Sequence, residues 1–219
     1  MQPPNFPECN HSLVKALFHY SDRELLNLFQ IHPDEGKYFV AIFCRYHTLV
    51  YTLIQHQAKS PVQGDYLFAL TWRHIFHELR GLDLRAAQER TPGFTLQTWL
   101  IETTALCLQR IQVPPVESIH YSLEAAPPPL WCYLEQTLDQ LPPILRLTVL
   151  MAQTFHWSET RIGAYLQAEG ETLSPADVRA LLDEGYHRLE NLLPIDIRTI
   201  YLKRKGAAAA PDREAMQQS

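Results

Sequence analysis

Apolar residues recur at three- and four-residue steps along most of the chain, which is the spacing of amphipathic helices. The pattern predicts helices over 34–57, 62–80 and 95–111, and a shorter helix that begins after a Ser21 cap. Between them, residues 81–93 are predicted to form a charged loop. Since no segment alternates apolar and polar positions as a half-buried strand does, the sequence predicts an all-α protein.

The clearest helix signals lie towards the C-terminal end. Ser174 is a good N-cap, and Pro175 fits the first helical position because its missing N–H costs nothing there. Apolar positions then follow at helical spacing until Pro194. A shorter helix from Ser158 to Leu166 precedes this one, so the two form a helix-turn-helix candidate. A small helical bundle with no role at DNA would produce the same pattern.

Prolines divide the helical pattern into two parts. Residues 112–130 contain five prolines and little periodicity, which predicts a semi-stiff linker. We therefore expect one helical domain over 1–111, with an extended start in residues 1–20, and a second helical domain over 131–202. Residues 203–219 open with a basic triplet and continue with four alanines and a polar stretch, which predicts a disordered tail.

Charge argues against a general nucleic-acid binder. The formal net charge is −5. Residues 1–110 carry 10 basic and 10 acidic side chains, whereas residues 111–219 carry 9 basic and 14 acidic ones. The helix-turn-helix candidate therefore belongs to the acidic half, although phosphate contacts normally supply much of the affinity of a DNA-binding protein.

Cysteine usage and hydropathy bear on the compartment. The 4 cysteines form no C-x-x-C pair, and their scatter predicts reduced, buried thiols in a cytosolic protein. The sequence contains neither a secretion signal nor an apolar run of membrane-spanning length, so we expect a cytoplasmic protein without membrane contact. It also lacks a glycine-rich phosphate loop and a nucleophile–base signature, so neither an enzyme nor a cofactor is predicted.

Three short motifs in the second helical part occur in the same order in one known family. Leu141-Pro142-Pro143 opens an apolar helix, Ile162–Leu166 lies in the first helix-turn-helix helix, and Ser174–Arg179 begins the second. They resemble region 4 of bacterial sigma factors of the sigma-70 superfamily. The match to a minimal factor of the extracytoplasmic-function type, which has two modules, extends over most of residues 37–193.

The first helical part resembles region 2 of the same family. Arg45-Tyr46, the run from Gln63 to Leu67, and Trp99-Leu100 lie at positions similar to its helix anchors. The resemblance implies a transcription initiation protein whose partners are core RNA polymerase and promoter DNA, with an anti-sigma factor as a further candidate. It places polymerase contacts at Asp65, Tyr66, Phe68 and Arg73. It places DNA contacts at Gln109, Arg110, Arg179, His187 and Arg188.

The chain departs from the family where the family contacts DNA. Asp183 and Glu184 replace part of a basic run in the second helix-turn-helix helix, and Glu102 lies where the family carries DNA-facing arginines. Each departure removes or opposes a phosphate contact. The alternative function is therefore a divergent sigma-like regulator that acts through protein–protein contacts without binding a promoter.

Two further sets of side chains allow more than one interpretation. Cys44-x-x-His47 and His74-x-x-His77 each place two metal-ligand types on one helix face, but their aromatic neighbours favour a core role over a zinc site. Trp72 and Trp99 could stack on unpaired bases, although their helical spacing favours packing in the core.

Overall fold

The computed structural model describes residues 4–170 and 173–202, and every regular element within this part of the chain is helical. The all-α prediction is thereby confirmed, whereas the predicted tail 203–219 lies outside the described residues. No helix in the described residues combines the length and the apolar character needed to cross a bilayer. In chain order, the α-helices are α1 Ser12–Lys15, α2 Asp22–Ile31, α3 Lys37–Gln55, α4 Pro61–Leu79, α5 Leu84–Arg90, α6 Leu96–Arg110, α7 Pro128–Gln140, α8 Pro143–Thr154, α9 Glu159–Ala168, α10 Pro175–Leu192 and α11 Ile195–Ile197.

Side-chain caps determine where two of these helices begin. The Ser21 hydroxyl accepts a hydrogen bond from the backbone N–H of Glu24, whose carboxylate accepts one from the Ser21 N–H at 2.7 Å. Ser174 and Asp177 repeat the arrangement at α10, with the reciprocal bond at 2.8 Å. Both predicted caps are confirmed, and each is worth about 1 kcal/mol of helix stability.

A large aromatic cluster packs around α3 and α4. Phe39, Phe43, Phe68 and Trp72 are completely buried in it. Several rings meet edge to face, as Phe43 and Trp72 do with centroids 4.9 Å apart. Such pairs add about 0.5–1.5 kcal/mol each beyond the burial of apolar area, so the ring contacts stabilise this cluster further.

Two segments that were predicted to be irregular are folded. The N-terminal segment forms a 3-10 turn at Pro7–Asn10 followed by α1, and the side chains of Phe6 and Val14 are buried in the large cluster. The expectation of an extended start is therefore corrected. Helix α5 forms inside the predicted charged loop because the Asp83 carboxylate accepts a hydrogen bond from the Ala86 N–H at 3.0 Å and so caps it.

The proline-rich segment 112–130 contributes to the same cluster. Leu123 and Leu130 are buried there, and the Tyr121 hydroxyl donates to the Ala126 carbonyl oxygen at 2.6 Å. Helix α7 begins at Pro128, three residues before the predicted boundary of the second domain. It packs against α4, with the buried ring of Tyr133 5.2 Å from that of Phe76.

After α10, the chain packs again onto the large aromatic cluster around α3 and α4, which together with the helices packed on it we call the aromatic body. Ile197 and Ile200 are buried in the large cluster, and the backbone N–H of Lys37 donates to the Asp196 carboxylate at 2.7 Å. A Cβ at Gly36 would lie 2.3 Å from the Ile197 side chain, so only glycine lets α11 approach the start of α3 so closely.

Helices α8, α9 and α10 form a smaller unit, which we call the helix-turn-helix unit. Its interior consists of two mainly aliphatic clusters, one centred on Val149 and Leu189 and the other on Ile162 and Val178. A Cβ at Gly185 would lie 2.7 Å from Val149 Cγ2, so the glycine allows α10 to lie close against α8.

Candidate nucleic-acid interface

The turn between α9 and α10 has tightly packed helices on both sides. Ser158 caps α9 by accepting a hydrogen bond from the Arg161 N–H at 3.3 Å, and Ser174 caps α10. A Cβ at Gly163 would lie 3.3 Å from the Leu173 carbonyl oxygen and 3.5 Å from Val178 Cγ2, which makes this a close approach of α9 to the start of α10. This packing fixes α10 against α9 and leaves one side of α10 exposed to solvent.

Arg179 is held by a carboxylate rather than left free. Its Nε and Nη2 atoms donate to the two carboxylate oxygens of Glu159 on α9, each at 2.9 Å. The bonds hold the pKa of the Glu159 carboxyl below its usual range and raise the pKa of Arg179. A two-bonded pair of this kind uses the same donors that would bind a phosphate, so a phosphate would have to displace Glu159 in order to bind Arg179 through both atoms.

The other two predicted DNA contacts on α10 also have neighbours on the same helix. Arg188 Nε lies 2.5 Å from Glu184 Oε1, one helical turn away. The His187 ring shares a hydrogen bond with the Asn191 side chain at 3.0 Å. Asp183 is exposed beside them. The structure thus brings Arg179, His187 and Arg188 to one helix but surrounds the arginines with carboxylates.

A cleft between α4 and α6 is lined by one residue from each set of predicted contacts, Arg73 and Arg110. It encloses about 540 Å³, and its lining includes Arg73, His74, His77, Trp99 and Arg110 together with the acidic Glu78. This size lies within the range of sites that bind small organic ligands. Burial is the main cause that lowers the pKa of His77, and the nearby Arg80 charge lowers it further. Its ring is therefore mostly neutral near pH 7.

Arg110 is an exposed cation that lines this cleft. It is exposed in the last turn of α6, and it forms no ion pair with any residue that the structure describes. Its neighbour Gln109 is also exposed, but it does not line the cleft. Trp72 is completely buried, and Trp99 is partly buried and packs against the same large cluster, so the predicted core packing is confirmed for both rings, while Trp99 also lines the cleft.

The predicted polymerase contacts on α4 differ in how exposed they are. Asp65 is partly buried and accepts a hydrogen bond from the Tyr51 hydroxyl at 3.3 Å, and burial raises the pKa of its carboxyl. Tyr66 is partly exposed beside Tyr121. Phe68 has no exposed surface, so its prediction as a surface contact is wrong for this conformation: the ring packs among other aromatic rings.

Arg73 links two helices instead of standing free. Its Nε donates to Glu135 Oε2 on α7 at 2.7 Å. Close to half of the Arg73 side chain is still exposed, at 42%, so a second acidic group could reach it. Its assignment to a polymerase contact stays a prediction.

A disulfide joins Cys9 to Cys44, which corrects the expectation of four reduced thiols. Cys107 and Cys132 are free and buried. Since the Cys44 sulfur is bonded, it cannot ligate zinc together with His47 in this form. No group of three or more potential metal ligands occurs in the described part of the chain. The pairing was hidden in the sequence because the two cysteines are 35 residues apart and lack any local motif.

Comparison with protein-family models, with curated proteins and with solved structures finds no significant match to this chain.

Proposed function

We propose that this chain is a sigma-factor-like transcription initiation protein that binds core RNA polymerase in the cytoplasm and meets promoter DNA mainly through the α4/α6 cleft. The proposal rests on the family resemblance. Its main support is the arrangement of two parts of the chain: a capped, glycine-packed helix-turn-helix unit follows a helical body whose α4/α6 cleft is lined by both Trp99 and Arg110. These two residues lie about 16 Å apart along α6, and Arg110 has no ion-pair partner among the described residues. In the proposal, α3 and α4 belong to the polymerase-binding module.

The cleft offers the two kinds of contact that an unpaired DNA strand needs. A base can stack on an aromatic ring, which is worth about 1–3 kcal/mol per base, and a phosphate can bind an arginine. Trp99 and Arg110 supply these two groups within one cleft. By contrast, both α10 arginines already bind carboxylates, so we assign the α10 face a minor share of the DNA affinity.

Reconstituted transcription tests this proposal. Purified chain is mixed with core RNA polymerase, binding is measured by co-purification, and transcripts are mapped from a library of promoter fragments. We expect a stable complex and transcripts that start at a defined set of promoters. Failure to bind the polymerase would remove the proposal.

A second candidate is a sigma-like regulator that binds a protein partner without promoter DNA. The acidic surroundings of Arg179 and Arg188 favour it, because carboxylates repel phosphates. A gel-shift series at increasing salt separates the two candidates. Steep loss of binding with salt favours the promoter-binding function, whereas absent DNA binding together with retained polymerase binding favours the regulator.

A further inference from the structure

The Cys9–Cys44 disulfide fastens the N-terminal segment onto α3. We call residues 4–11 the N-terminal strap; it contains the 3-10 turn Pro7–Asn10. The bond joins this turn to the middle of α3. Both cysteines are only partly buried, so a small thiol reductant can reach the bond from solvent.

The strap covers an aromatic surface that α3 and α4 would otherwise expose. Phe6 is 4% exposed, and its ring meets that of Phe43 edge on with centroids 4.8 Å apart. The same ring stacks on Phe68 with centroids 5.9 Å apart and lies 5.1 Å from the His47 ring. Phe6 is thus part of the reason that Phe68 has no exposed surface.

The strap also forms one wall of a groove of about 680 Å³. Other walls of the groove include Tyr51 and Asp65, one of which is a predicted polymerase contact. Glu8 on the strap accepts a hydrogen bond from the Tyr201 hydroxyl at 3.2 Å, which ties the strap to the returning C-terminal segment. Removing the strap would therefore widen this groove and uncover the aromatic surface in one step.

We propose that the Cys9–Cys44 disulfide is a redox-controlled clasp: the oxidised form holds the strap over the α3–α4 face, and reduction releases it so that a protein partner can bind that face. The identity of this partner as core RNA polymerase rests on the proposed function. A dithiol reductant transfers two electrons and two protons to the bond, which yields the Cys9 and Cys44 thiols and the disulfide of the reductant. The chemistry fits a reducing compartment, where disulfides are mostly transient or redox-sensing.

Reduction removes the covalent link between the strap and α3, so the strap is then held by non-covalent contacts alone. These contacts include the packing of Phe6 and the hydrogen bond that Glu8 accepts from the Tyr201 hydroxyl. A short segment held in this way opens locally at a lower free-energy cost than a heavily packed helix such as α3. The clasp therefore controls the strap and leaves the aromatic body intact.

Hydrogen exchange on the full chain tests the clasp without any partner. The oxidised protein is compared with the same protein in dithiothreitol, a small dithiol. We expect the strap amides, including the Cys9 and His11 N–H groups that bond within the turn, to exchange at least about tenfold faster after reduction, with α3 unchanged. The Cys9→Ser variant should exchange as fast without reductant, and Cys132→Ala should keep the redox difference. Equal protection in both states would overturn the clasp.

Polymerase binding then tests what the clasp controls. We expect the reduced protein and Cys9→Ser to bind core RNA polymerase at least about tenfold more tightly than the oxidised protein. Equal affinity of the two states would overturn control by the clasp. Faster strap exchange with no polymerase binding in either state would support the clasp and contradict the proposed function instead.

Discussion

The aromatic body around α3 and α4 and the helix-turn-helix unit of α8–α10 differ in both interior and surface. The body contains fully buried rings such as Phe39 and Trp72, whereas the unit is held by small, mainly aliphatic clusters. On the surface, Arg110 of the body has no ion-pair partner in the described residues, whereas Arg179 and Arg188 of the unit bind carboxylates. We therefore expect the body to resist unfolding more strongly than the unit and to offer the more available cation.

This difference teaches that a helix-turn-helix shape and a DNA-binding surface are separate properties. The caps and glycines that build α9 and α10 are present in full. What is weakened is the charge on the outer side of α10, because Glu159 and Glu184 occupy its arginines. The following predictions test the two halves of the comparison, from the largest expected effect to the smallest.

Replacing one buried side chain with alanine should lower the free energy of unfolding more in the aromatic body than in the helix-turn-helix unit. Phe39→Ala removes a ring that contacts Phe29, Trp72, Phe76 and Tyr133, so we expect a loss of about 3–5 kcal/mol in the free energy of unfolding. Ile162→Ala, in the smaller unit, should cost about 2–4 kcal/mol because fewer large neighbours surround the cavity. Urea unfolding followed by circular dichroism measures both. A larger loss for Ile162→Ala would contradict the comparison.

Charge reversal on α10 should strengthen DNA binding by the helix-turn-helix unit. Asp183→Lys combined with Glu184→Arg removes two phosphate-repelling groups and frees Arg188, so non-specific duplex binding should strengthen by about tenfold or more at low salt. Fluorescence anisotropy at several salt concentrations is the measurement. The matched control is Glu190→Lys, which changes charge near the end of α10 without breaking an ion pair that the structure describes; it should strengthen binding less.

Acid should weaken the body at a higher pH than it weakens the helix-turn-helix unit. Burial lowers the pKa of His47, so the unfolded chain gains its proton first as the pH falls below about 6.5. The stability contributed by neutral His47 is present above that pH and is lost below it, at no more than about 1.4 kcal/mol per pH unit. In the unit, hydrogen bonds hold the pKa values of Glu159 and Asp177 below their usual range, so their contribution is lost only as the pH falls below about 4.

Urea titrations at pH 7.5 and 5.5 check this pH dependence. We expect His47→Gln to reduce the difference between the two pH values, since the variant has no imidazole to protonate. An unchanged difference would mean that His47 does not account for the acid sensitivity of the body.

Local chemistry could be predicted from the sequence, while contacts between distant residues could not. The caps at Ser21 and Ser174 need only residues three positions away, and both are present. Helical periodicity marked Phe68 as apolar but could not show that Phe6, far away in sequence, covers it. The Arg179–Glu159 pair joins residues 20 positions apart across the α9–α10 turn, so helical periodicity could not reveal this pair either.

The most direct test of the central claim compares two arginine variants in reconstituted transcription with core RNA polymerase. The claim is that promoter contact depends on the α4/α6 cleft rather than on α10. Arg110→Ala should lower promoter-specific transcription by about tenfold, the loss expected for one good phosphate or base contact, whereas Arg179→Ala should leave it within about twofold. Loss of transcription in Arg179→Ala with normal activity in Arg110→Ala would contradict the account.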